Sequence, residues 1–139
     1  PPAMDMQTRL GSLGSMIVHL DTSILIEALA TSDPNFLRPP SVRGDILIVS
    51  TLVLYEWLRR PRSADQLEVL EDLFPLERIV MFGLDEARVA GKLYQSVKRA
   101  RTREVDIAIA ACAVEHDASL WTLNHKDFED IPGLTLYRG

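Results

Sequence analysis

The chain has 139 residues, of which 47% are hydrophobic and 25% charged, so it is long enough for one globular domain with a proper core. Its formal charge of −5 excludes a uniformly basic nucleic-acid binder, and contact with a phosphate backbone would need local basic patches or a metal ion. No apolar stretch is long enough to span a bilayer. The single cysteine, Cys112, lies in the apolar run IAIAACAV, which predicts a reduced, buried thiol and favours a cytoplasmic location.

Residues 1–15, PPAMDMQTRLGSLGS, show no periodicity and end in Gly and Ser. We interpret them as a disordered arm or an expression remnant, with Met16 favoured as the natural start. A single domain is predicted over residues 16–139.

Apolar runs between turn residues predict strands, and longer amphipathic or apolar runs predict helices. In chain order the segments are a strand MIVHL, a helix TSILIEALA, a loop TSDPNFLRPPSVRGD, a strand ILIVS, a helix TLVLYEWLRR ending before Pro61, a helix from the capping box SADQ to about Phe74, a strand RIVMF, a helix LDEARVAGKLYQSVKRA, a buried helix EVDIAIAACAVEHD, a strand SLWTL, a loop NHKDFEDIPG and a strand LTLY. This alternation of helices with continuously apolar strands predicts a three-layer α/β/α fold with a short parallel sheet.

Five polar side chains lie at sequence positions that such a fold could bring together at the carboxyl ends of the strands. Asp21 directly follows the first strand, and Asn124 and Asp127 follow SLWTL, at the strand ends where parallel sheets bind ligands. Glu56 and Asp106 lie in apolar helical segments, where a carboxylate needs a partner. Converging carboxylates repel one another, and a hard divalent cation is the simplest compensation. The oxygen ligands, and the three histidines without ligand spacing, favour Mg²⁺ or Mn²⁺ and hence phosphate chemistry.

Each of these residues also has a purely structural explanation. The explanations are helix caps for Asp21 and Asp106, an ion pair with Arg59 or Arg60 for Glu56, turn roles for Asn124 and Asp127, a strand position for Thr122, a surface loop for His125, and core packing for Trp57 and Trp121. The combination of five polar residues, each at the expected place, favours a shared site.

Three segments, IVHLDTSILIEAL, STLVLYEWLR and VDIAIAACAVEHDASLWTLNHKDF, resemble in the same order the sequence blocks of PIN-domain ribonucleases. The resemblance extends from Met16 to the C-terminus, and the small size is most similar to VapC-type toxins. It implies a parallel sheet flanked by helices, RNA cleavage with Mg²⁺ or Mn²⁺, a small antitoxin that occupies the site, and a homodimer.

The resemblance also implies residue roles. These are catalysis by Asp21, Glu56, Asp106, Asn124 and Asp127, metal binding by Asp21 and Asp106, and support from Thr22, Ser23 and Thr122. Two departures from the family pattern stand out: Trp57 is bulkier than usual, and neutral Asn124 replaces a frequent aspartate. The missing charge would hold a second metal loosely at best, so the number of metals stays open.

Two basic clusters adjoin the proposed site in sequence and predict RNA contacts. They are KRARTR, with Lys98, Arg99, Arg101 and Arg103, and RRPR, with Arg59, Arg60 and Arg62. The alternative is that these charges complement helix C-termini. Aromatic residues make up only 6% of the chain, which makes base stacking a poor candidate for substrate choice.

The predicted function is therefore a metal-dependent endoribonuclease acting as a toxin. A housekeeping PIN nuclease and a non-catalytic PIN-like module are the alternatives, whereas a phosphatase is disfavoured because LDTS lacks a second aspartate. The apolar helices SILIEALA and TLVLYEWL predict protein partners: a second copy, and an antitoxin with a basic side chain that reaches the acids. No membrane partner is expected.

Overall fold

The computed structural model describes residues 16–30, 34–37 and 44–138. The predicted arm, and part of the loop before the second strand, lie outside these residues. The strands are β1 (Ile17–Leu20), β2 (Ile46–Ser50), β3 (Ile79–Val80), β4 (Ser119–Trp121) and β5 (Thr135–Leu136). The α-helices in the described ranges are α1 (Thr22–Ala30), α2 (Thr51–Leu58), α3 (Ala64–Leu73), α4 (Leu84–Ser96) and α5 (Glu104–Glu115).

All five strands are parallel and lie in the order β3-β2-β1-β4-β5. With the helices flanking this sheet, the predicted three-layer α/β/α fold is confirmed. The chain leaves β1 toward β2 and β3 and then returns to the other side of β1 with β4. The strand order therefore reverses between β1 and β4, which is the place where open α/β sheets bind ligands.

Local sequence explains the main boundaries. Ser63 opens α3 as predicted, because its hydroxyl accepts from the Gln66 amide while the Gln66 side chain accepts from the Ser63 amide. Several predicted elements are longer than the observed ones, and two of them show the cause. The strand RIVMF shrinks to two residues, since Arg78 belongs to a 3₁₀ turn, and helix α4 ends at Ser96, before the left-handed Arg99.

The core lies on both faces of the sheet. Helix α5 is buried almost all round, as its sequence predicts, and Trp57 of α2 is fully buried. The Cys112 thiol is buried too, and burial raises its pKa to about 12. Within the described ranges, no helix is both long enough and apolar enough to cross a bilayer.

Candidate active site at the carboxyl edge of the sheet

Asp21 lies at the point where the strand order reverses. Its amide donates to the Trp121 carbonyl at 2.9 Å, which ties the end of β1 to the end of β4. The side chain is only 5% exposed, and its Oδ2 accepts from the Thr122 hydroxyl at 2.8 Å and the Ser23 hydroxyl at 2.9 Å. Both bonds go to one oxygen, so Oδ1 accepts none from the residues that the structure describes. The carboxylate is oriented by hydroxyls and keeps an oxygen for a ligand.

The loop after β4 is built onto this hydroxyl pair. Ser23 Oγ also accepts from the Leu123 amide at 3.1 Å, and Thr122 Oγ1 accepts from the Asn124 amide at 3.0 Å. The LDTS segment and the end of β4 are thereby held in register, although about 100 residues separate them. Ser23 and Thr122 thus position Asp21 and the turn after β4, and their supporting role in catalysis stays a prediction.

Glu56 projects from α2 toward the start of α1. Its Oε1 accepts from the Thr22 hydroxyl at 2.5 Å, a short bond typical of a charged acceptor. The alternative ion pair of Glu56 with Arg59 or Arg60 is not what the structure shows. Thr22 thus orients the second acid as Thr122 orients the first.

Asp106 lies in the first turn of α5, partly buried, and its pKa is raised to about 6. Burial is the main cause, and the negative charges of Asp21, Asp127 and Glu56 add to it in that order. Arg103 acts weakly in the opposite direction. The structure therefore brings these four acids within electrostatic range of one another, although they come from four separate segments.

The 3₁₀ turn after β4 carries the last two predicted residues. Asp127 and Asn124 are both exposed. The Asp127 carboxylate contributes to the negative field at Asp106, and the Asn124 backbone amide donates to the Thr122 hydroxyl. Both side chains line a concavity of about 370 Å³ formed by residues 123–127.

Arg103 fastens this turn to the start of α5. Its guanidinium donates twice to the Asp130 carboxylate, at 2.6 and 2.9 Å, and also to the carbonyl oxygens of Asp127 and Lys98. The bidentate pair raises the Arg103 pKa further and lowers that of Asp130. Arg103 was predicted to bind RNA, but its hydrogen bonds here are intramolecular. Of the other basic residues of the two clusters, Arg62 is half-buried and its Nε donates to the Trp57 carbonyl at 2.9 Å. The remaining five are exposed: Arg59, Arg60, Lys98, Arg99 and Arg101.

The oxygen donors suit a hard cation by type, and the raised pKa of Asp106 marks a place that a positive charge would stabilise. Among the described residues, however, no three His, Cys, Asp or Glu side chains already stand in an arrangement that would hold a metal. Asp21 and Glu56 are instead each held by neighbouring hydroxyl groups.

The profile of the PIN domain matches residues 18–134, which include every predicted catalytic residue. The chain belongs to the PIN-domain family. This PIN domain is 32% identical over 126 residues to Ribonuclease VapC of Rickettsia bellii (strain RML369-C), covering 83% of this chain and 90% of that protein. It is 40% identical over 72 residues to Ribonuclease VapC1 of Rickettsia felis (strain ATCC VR-1525 / URRWXCal2), covering about half of each. The predicted resemblance to VapC-type PIN ribonucleases is confirmed.

Solved structures agree on the fold of this PIN domain. VapBC2 from Rickettsia felis, bound to a DNA fragment from its promoter, superposes with a TM-score of 0.68 at 23% identity, covering 88% of this chain and 98% of that one. The DNA-bound VapBC from Salmonella typhimurium gives the same TM-score at 20% identity, covering 88% and 97%.

Sequence reasoning missed two features of the site. Asp130 gave no signal as the partner of Arg103, because 27 residues separate them. The aromatic group beside Thr122 was also missed: Trp121 stacks on Phe36 and contacts Tyr137, so aromatic residues scarce in composition are concentrated in space.

Proposed function

We propose that this PIN domain is a metal-dependent endoribonuclease and the toxin of a VapBC-type toxin–antitoxin pair. The observation that carries the proposal is the gathering of Asp21, Glu56, Asp106 and Asp127 at the β1/β4 edge, where burial and the neighbouring negative charges raise the pKa of Asp106 to about 6. A stable fold does not need such a repulsive group, whereas a site for a cation and a phosphate does. The catalytic domain is proposed to span residues 16–139, and the location to be cytoplasmic.

Asp21 and Asp106 are the proposed ligands of Mg²⁺ or Mn²⁺. When bound, this ion would offset the acidic charge, polarise a phosphoryl oxygen and lower the pKa of a water. The chain's own contribution is orientation. Thr122 and Ser23 hold Asp21 through Oδ2, and Thr22 holds Glu56 through Oε1. Asn124 and Asp127 complete the donor set from the turn after β4.

The exposed basic residues support a path for RNA. Arg59 and Arg60 follow the helix that carries Glu56, and Lys98, Arg99 and Arg101 precede the helix that carries Asp106. Because the whole chain carries −5, these clusters are the places that attract a phosphate backbone, and they lie beside the acids in sequence. An RNA contact by Arg103 stays a prediction, since its guanidinium is already engaged with Asp130.

The test is cleavage of RNA by the purified chain with Mg²⁺ or Mn²⁺, compared with Asp21→Asn. We expect the wild type to cleave, a chelator to stop it, and Asp21→Asn to lose at least about a hundredfold in rate, as is typical when a charge-stabilising group is removed. Glu68→Gln, which neutralises an exposed acid on α3, is the matched control and should cleave like the wild type. Cleavage that survives both the chelator and Asp21→Asn would contradict the proposal.

The proposed protein partners are a second copy of the chain and a small antitoxin. Helices α1 and α2 leave Ile26, Tyr55 and Leu58 exposed by 40%, 65% and 48%, which is apolar surface suited to a partner. An antitoxin arginine that reached Asp21 and Asp106 would replace the charge of the metal with a bidentate pair. That contact would inhibit the enzyme without a change of fold.

Light scattering of the isolated chain tests the homodimer, and a monomer at micromolar concentration would refute it. Co-expression with a neighbouring small reading frame tests the antitoxin. If the product of that frame binds but leaves RNA cleavage unchanged, the toxin role fails, and an RNA-processing nuclease is the better description.

A further inference from the structure

Two concavities lie side by side on the turn that follows β4. One contains Asn124 and Asp127 of the candidate active site. The other has a volume of about 290 Å³. Its lining consists of Trp121, Thr122, Leu123, His125, Tyr137 and Arg138. The two concavities share Leu123 and His125, so these two side chains separate them.

The second concavity is joined to the acidic cluster by a single residue. Thr122 lines it, and the hydroxyl of the same residue donates to Asp21 Oδ2 at 2.8 Å. A group bound there would therefore lie one residue away from a phosphate held at Asp21. Its volume is near the lower end of small-molecule pockets, roughly 300–1,000 Å³, and suits one planar ring system rather than a whole nucleotide.

The apolar wall of this concavity is aromatic and held in place. Trp121 stacks on Phe36 with ring centroids 5.8 Å apart and planes only 8° from parallel. Tyr137 packs against the same indole at 5.1 Å and 59°. Because Trp121 is packed against both Phe36 and Tyr137, it has little conformational freedom left to lose, and it forms a rigid apolar wall together with Tyr137.

The polar edge of the concavity presents hydrogen-bond donors. Arg138 Nη1 lies 3.0 Å from His125 Nδ1, and because arginine only donates, Nδ1 must be the acceptor. In the neutral ring the hydrogen then resides on Nε2. The remaining guanidinium N–H groups and this imidazole N–H are both donors, so the edge matches a ligand with neighbouring acceptors.

We propose that this concavity is a nucleobase subsite that prefers guanine in the nucleotide next to the scissile phosphate. This inference rests on the proposed ribonuclease function. Guanine presents two adjacent acceptors, O6 and N7, and arginine is their usual partner. Adenine and cytosine would each bring an amino donor to the same edge. Arg138 and His125 are thus specificity-determining residues, and the aromatic wall supports the base from one side.

The test compares single-stranded RNAs of adenine and uracil that contain one guanine with the same strands carrying adenine instead. The wild type with Mn²⁺ should cleave beside the guanine about tenfold faster, the size of one good bidentate contact. Arg138→Gln should reduce this preference to less than about threefold, because glutamine pairs with adenine. His125→Ala should reduce it as well. Both side chains lie on the accessible rim, and thermal melting confirms that the variants fold.

Two control variants separate base recognition from general effects. Arg101→Gln removes an exposed charge of the RNA path and should slow all substrates by the same factor, which leaves their ratio unchanged. Arg88→Gln, on the exposed part of α4, should change neither. No guanine preference in the wild type, or a preference that Arg138→Gln retains, would overturn the inference.

Binding distinguishes a failure of this inference from a failure of the proposed function. Fluorescence anisotropy with the Asp21→Asn chain, with and without Arg138→Gln, measures affinity for the same strands without cleavage. If the wild type cleaves no RNA but guanine-selective binding disappears with Arg138→Gln, the nuclease proposal fails and the subsite stands. Equal affinity for both strands refutes the subsite.

Discussion

Replacing Asp106 with Asn should stabilise the metal-free protein. The Asp106 pKa is raised from 3.8 to about 6 in the folded protein. An acid with a raised pKa stabilises the fold at pH values below its unfolded pKa, and this stabilisation is lost as the pH rises through the folded pKa. The whole pKa shift corresponds to at most about 3 kcal/mol in the free energy of unfolding. Solvent screens the partly exposed Asp106 side chain, which reduces the stability gain expected from Asp106→Asn. The substitution also removes a favourable negative charge from the start of α5, which reduces the gain further. We expect Asp106→Asn to gain roughly 1–2 kcal/mol at pH 8.

The assay is urea unfolding of the wild type and Asp106→Asn in a chelator, at steps from pH 4 to pH 8. The gain should be largest at pH 8 and shrink toward zero near pH 4, where the wild-type carboxyl is protonated. The difference between the two proteins is the useful quantity, because buried His19 titrates in the opposite sense over part of this range. Mn²⁺ should stabilise the wild type more than the variant. Equal stability of the two proteins at pH 8 would refute the electrostatic description of the site, as would a less stable variant.

Three further outcomes follow from the contacts. Thr122→Val should cost about 1–3 kcal/mol in urea unfolding and lower the cleavage rate, because it leaves Asp21 Oδ2 with the Ser23 hydroxyl alone. Arg103→Lys should cost no more than about 1 kcal/mol, since Asp130 is 48% exposed, yet weaken Mn²⁺ binding measured by calorimetry as the turn after β4 loosens. Burial lowers the pKa of the fully buried His19 to about 4, so this residue should destabilise the fold as the pH falls from 6.5 toward 4. His19→Asn should remove that pH dependence from acid-unfolding curves.

The order and type of the main elements could be predicted from the sequence, because they depend on local patterns. Continuous apolar runs such as ILIVS predict buried strands, and the capping box at Ser63 marks a helix start, whatever the rest of the chain does. The acids themselves were also visible. A carboxylate after the first strand, and others within apolar helices, stand out against their surroundings, and the order of the three sequence blocks is typical of the family.

Only the tertiary structure decided which groups meet. The strand order places β4 beside β1, and this brings the Thr122 hydroxyl to Asp21 across 101 residues, a pairing with no local signature. The fold likewise turns Arg103 to Asp130, and it packs Phe36, Trp121 and Tyr137 together beside the site although aromatic residues are rare in the chain. The physical reason is that periodicity and capping report the conformation of a few neighbouring residues, whereas hydrogen-bond partners, electrostatic fields and cavities depend on the packing of segments far apart in sequence.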